Sequence, residues 1–108
     1  MKYAIDLGFR GESIDQIRSR VEAFMGAACE ERYSDYRGGD YFVCRNAGEE
    51  VKIQLNRDGE ELAEEEFPDH AVLVLFDPTT RDQDIEETFL ANETCALIRK
   101  REYPRQPS

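Results

Sequence analysis

Residues 71–76 read AVLVLF, the most apolar run in the chain, bounded by Asp69 and His70 before it and Asp77 and Pro78 after it. A run this short with turn signals on both sides fits a strand better than a helix. An uninterrupted apolar strand is covered on both faces, so this segment is expected at the centre of a sheet. The opening segment behaves differently. Tyr3, Ile5, Leu7 and Phe9 alternate with Lys2, Ala4, Asp6 and Gly8, the pattern of a strand covered mainly on one side. Val51, Ile53 and Leu55 alternate in the same way with Lys52, Gln54 and Asn56.

Between these strands the period changes. Ser13 with Gln16 three residues on makes a capping box, and Ile14, Ile17, Val21 and Phe24 recur at helical spacing until Gly26 closes the helix. A polar strand over 31–36, a tight connection at Arg37, Gly38, Gly39 and Asp40, and a return over 41–45 read as a hairpin. The sequence DPTTRDQDIEETFLAN supplies turn and cap chemistry and then a short helix with Ile85 and Phe89 one turn apart. A last strand is expected over 95–101, and residues 104–108 as a flexible C-terminal tail. The fold class is therefore α+β: a mostly antiparallel sheet of about six strands with two helices on one face. A ferredoxin-like split βαβ arrangement with extra strands is the most economical topology, because each helix lies between strands that can be parallel neighbours.

The 108 residues make one domain, over 1–103. Six Phe and five Tyr supply a core, and no stretch approaches the ~20 apolar residues of a membrane span. The start, MKYAIDLGF, lacks a charged-then-apolar export pattern, so a cytoplasmic location is expected. Cys29, Cys44 and Cys95 are odd in number, widely spaced and without a C-x-x-C pair. That spacing argues against a disulfide framework or a zinc site, and reduced structural cysteines are expected.

Sequence motifs for catalysis are weak. His70 is the single histidine and is flanked by Asp69, but no Ser or Cys lies in a recognisable nucleophile turn, so a surface histidine at a strand entry is expected. Asn56, Asp58, Gly59 and Glu65 fall at calcium-loop spacing, yet Gln54 stands where the first carboxylate belongs, in a strand instead of a helix. An Asn-Arg-Asp-Gly turn is the simpler account. Gly8 and Gly11 lack the Lys and Ser/Thr of a phosphate-binding loop. No cofactor and no metal site are expected, and no catalytic residue is assigned. A pair among the carboxylates serving acid–base catalysis is the enzymatic alternative.

The charge is more informative. Twenty-four acidic against fourteen basic side chains give a formal charge of −10. Over a Debye length of roughly 8 Å such a field repels phosphate backbones and anionic lipids, and it speeds encounter with a basic protein. The density peaks in EELAEEEFPDH, residues 60–70, with six carboxylates and no Lys or Arg. One account is a solvated loop that keeps the domain soluble and shields the apolar strand after it. The functional account is a docking surface. Asp58, Glu60, Glu61, Glu64, Glu65, Glu66 and Asp69 supply charge, Phe67 an apolar anchor, and Tyr33, Tyr36 and Tyr41 on the hairpin further aromatic contacts.

A small, single, strongly acidic α+β domain of this kind resembles the immunity proteins of bacterial toxin systems, including those of contact-dependent inhibition. The resemblance implies a cytosolic protein that binds one cognate basic toxin domain, often a nuclease, and blocks its active site. The run from Asp58 to Asp69 and the Tyr-rich hairpin would carry the contact. The alternatives are a regulatory or adaptor domain for another basic protein, with mimicry of DNA as a special case, and a small carboxylate-dependent enzyme. Oligomeric state is open at this point.

Overall fold

In the computed structural model, which describes residues 1–34, 39–58 and 60–104, six strands form one sheet. The strands are β1 (Tyr3–Phe9), β2 (Glu30–Ser34), β3 (Gly39–Asn46), β4 (Glu49–Leu55), β5 (Val72–Thr79) and β6 (Cys95–Glu102). Helix α1 (Ile14–Met25) follows β1, and α2 (Asp82–Ile85) continues as a π-helical turn over Glu86–Leu90 before β6. The sheet order is β2-β3-β4-β5-β1-β6, with every neighbouring pair antiparallel. The α+β class and the two-helix count stand. The ferredoxin-like variant does not, because it needs parallel neighbours. Instead α1 carries the chain from β1 past three intervening strands to the far edge, and β1 ends between β5 and β6.

Both helices cover one face of the sheet. Ile5, Leu7 and Phe9 of β1, Val72, Val74 and Phe76 of β5, and Val51 and Ile53 of β4 meet Ile17, Val21 and Met25 of α1 in one buried cluster, joined by Ile85 and Phe89. Phe89 packs edge-on against Phe9 and Phe24 and tilted against Phe76, the aromatic geometries that ring quadrupoles favour. The expected caps are present: Ser13 and Gln16 complete the capping box, and Gly26 ends α1 in the left-handed region at φ 66°.

Ion pairs tie the helices to the sheet. The side chain of Glu49 on β4 is 8% exposed and accepts hydrogen bonds from Thr79, Asn46 and Arg81, whose guanidinium lies 4.0 Å over the Phe24 ring and donates to the Phe24 carbonyl. Burial alone would push the Glu49 carboxyl up, but those three donors outweigh it and hold its pKa below the ordinary value. Lys100 of β6 reaches Asp82 and Glu86, and Arg20 of α1 makes two bonds to Glu12.

The cysteines correct the expectation of three reduced thiols. Cys29 and Cys44 form a disulfide, with their Cα atoms 4.3 Å apart. The register explains it, since Glu30 pairs with Val43 and the preceding position falls opposite Cys44. Cys95 is free and buried, and burial pushes its thiol up to about 12.

Candidate functional site

The face of the sheet away from the helices divides into two halves. One is covered by the acidic loop between β4 and β5, and the other is an open trough. The cover is organised by Asn56, which is 1% exposed. Its amide nitrogen donates to the carbonyls of Glu64, Phe67 and His70 at 3.0–3.3 Å, and its Oδ1 accepts from the Glu64 N–H at 2.7 Å. Its own N–H bonds to the Ala71 carbonyl at 2.9 Å. One buried side chain thus satisfies backbone groups spread over seven residues of loop. Sequence reading treats Asn56 as a turn residue; its role depends on carbonyls distant in sequence.

A second tie runs through Arg99. It donates to Asp6 of β1 at 2.8 Å and to both oxygens of Glu64 at 3.2 Å. Asp6 is enclosed enough that burial raises its pKa, against the pull of Arg99. Glu64, expected at the docking surface, is therefore partly spent on holding the loop to the sheet. Phe67 is half-buried, with its ring edge-on to His70 at 5.7 Å. His70 is half-buried as well, not a plain surface residue. It lies over Gly8, where an added Cβ would come within 3.0 Å of both the His70 Cβ and the Ile98 Cδ1.

The remaining expected carboxylates face outward. Asp58, Glu60, Glu61, Glu65, Glu66 and Asp69 are exposed, and none makes an ion pair or side-chain hydrogen bond with a described residue. Asp58 and Glu61 pair through their backbones, which fixes the turn that starts the loop. Gly59 lies outside the described residues. Elsewhere carboxylates such as Glu12, Glu49, Glu50 and Asp82 meet cations. The loop is thus a shaped surface that its own cation does not neutralise; Arg57, the one Lys or Arg of the stretch, is exposed and joins no ion pair with a described residue.

The hairpin tyrosines part company. Tyr33 pairs with Asp40 and Arg32 with Tyr41, so Tyr33 and Tyr41 lie on opposite faces. Tyr36 lies outside the described residues, with Arg37 and Gly38. Tyr33, 68% exposed, stands at a groove of about 470 Å³ between the first turn of α1 and the edge of the sheet. Ile14, Phe42 and Leu55 give it an apolar floor, and Asp15, Glu31 and Asp40 line it with carboxylates. Leu55 is the last residue of β4, so this groove lies where the acidic loop begins.

Sequence reading passes over the open half of the sheet. There Asp6, Lys52, Leu75 and Asp77 line a trough of about 450 Å³ with Arg101 and Tyr103. The signal for it is the polar half of each alternating strand, in which Asp6 and Lys52 stand, and it becomes a site only when the strand order is known. Leu75, expected to be buried, is half-exposed at this trough, whereas Leu73 under the loop is 2% exposed. Among the described residues no group of three or more His, Cys, Asp or Glu is placed to hold a metal ion, and no helix is long and apolar enough to cross a membrane. Compared with protein-family models, curated proteins and solved structures, the chain matches none of them.

Proposed function

We propose that the protein is an acidic protein-binding module that docks on a basic partner, and that this partner is a toxin domain whose active site it occludes. The observation that supports the reading is the loop held by Asn56, with six exposed carboxylates that no described residue pairs. Preorganised charge costs less to order on binding than charge on a floppy chain, and it steers a basic partner during encounter. A nuclease is the partner that fits the chemistry best. Its groove is shaped for phosphates, and fixed carboxylates can fill it while releasing the counterions that nucleic acid would release. Tyr33, over the groove with the carboxylates of Asp15, Glu31 and Asp40, suits the insertion of a partner's Arg or Lys, with the apolar floor taking its methylene stem.

The test is affinity capture from the source organism's lysate at low and high salt, with the wild type beside E60Q/E61Q/E65Q/E66Q. Glu64 stays intact in that variant because it secures the loop. The expected result is a basic protein held at low salt, released at high salt and lost to the variant. A captured protein that ignores both salt and the four substitutions would refute the loop as the docking surface.

A further inference from the structure

The open trough carries a second proposal, independent of the acidic loop. Lys52 of β4 pairs with Leu75 of β5, which pairs in turn with Asp6 of β1, and Ala4 of β1 pairs with Arg101 of β6. Lys52 and Arg101 therefore stand on opposite sides of a floor in which Leu75 and Asp6 lie. Their strands are three spacings apart, about 14 Å, a gap their long side chains narrow from both sides. Asp77 lies on β5 between them and Tyr103 at one wall.

The charges of this trough differ in how they are satisfied. Asp6 is held by Arg99 and Glu50 by Arg45, each at 2.8 Å. Lys52, Arg101 and Asp77 form no ion pair or side-chain hydrogen bond with a described residue. Lys52, Arg101 and Asp77 thus face, beside the ion-paired Asp6 and Glu50, a single concavity whose volume lies within the usual range of small-molecule sites, and Arg101 is near enough to Asp6 to pull its carboxyl pKa down. A simple dianion would satisfy the cations, but it would leave Asp77 unanswered and meet the full repulsion of a chain with net charge −10. A ligand with two carboxylates and one ammonium answers all three groups and lowers its own charge to a single negative.

We propose that the trough binds a small amino dicarboxylate of the size of aspartate or glutamate. One carboxylate meets Lys52, the other meets Arg101, the ammonium meets Asp77, and the short carbon chain lies on Leu75. The experiment is an amide chemical-shift titration of the full chain with L-glutamate, succinate and inorganic phosphate at constant ionic strength. Glutamate is expected to give saturable shifts at Lys52, Leu75, Asp77 and Arg101, with succinate markedly weaker. Lys52→Gln and Arg101→Gln, on different strands, should each weaken glutamate by about tenfold, the loss of one charge-assisted contact. Asp77→Asn should abolish the preference for glutamate over succinate. The proposal is overturned by the absence of saturable shifts in the trough, by equal binding of phosphate, or by shifts that survive both cation substitutions. The ligand comparison on the wild type decides even where a variant fails to fold. None of these outcomes bears on the acidic loop, whose partner binding is tested separately.

Discussion

Gly8 has almost no room above it. A Cβ there would press on the His70 Cβ and the Ile98 Cδ1 at 3.0 Å; the Ile98 methyl can turn aside, but the His70 Cβ is fixed to the loop backbone. Gly8→Ala is expected to destabilise the fold by about 2 kcal/mol, as overpacking does, measured by urea unfolding. Loop amides near His70 should lose hydrogen-exchange protection first. Glu49 governs a different response. Its folded pKa is depressed below the ordinary 4.5, so its contribution is present above that value and is lost as pH falls through the folded pKa. Acid unfolding below about pH 4.5 should therefore be shallower in Glu49→Gln than in the wild type, with the variant less stable at neutral pH. Asp6 has the opposite sign. Its pKa is raised, so its charge opposes folding at neutral pH and protonation relieves that cost.

At the scale of elements, the acidic loop is held chiefly by the Asn56 amide, with Arg99 as a second tie. Asn56→Ala removes a hub of four side-chain hydrogen bonds and takes their Asn56 partner from the Glu64 N–H and the His70 carbonyl, with an expected loss of about 3 kcal/mol. Exchange protection at the Glu64, Phe67 and His70 amides should fall together while β1 and β5 keep theirs. The strands and helices were legible because each rests on local patterning: alternation in Tyr3–Phe9, the capping box at Ser13, helical spacing from Ile14 to Phe24. What escaped the sequence was register. A turn over 37–40 pairs Tyr36 with Tyr41 and puts Cys44 opposite Tyr33, whereas the strands pair Ser34 with Gly39 and bring Cys44 to Cys29. The Arg99–Glu64 tie and the trough were hidden for the same reason, since their residues lie on different elements that only the strand order brings together.

For the whole molecule, the disulfide and the charge set what can be measured. Under denaturing conditions one of the three cysteines should titrate before reduction and all three after it. Native Cys95 should resist thiol reagents, because burial keeps the thiolate scarce. Reduction should cost about 3 kcal/mol, the order expected for closing a loop of this length. If the acidic surface docks the partner, the rate of association reports it. With the captured partner in hand, the on-rate is measured against ionic strength for the wild type, for E60Q/E61Q/E65Q/E66Q and for Asn56→Ala. The wild-type on-rate is expected to fall steeply with salt, the variant without the four charges to be slow and nearly flat, and the Asn56→Ala protein to keep the salt slope but dissociate faster. An on-rate that is the same for all three proteins and indifferent to salt would contradict docking through the acidic surface.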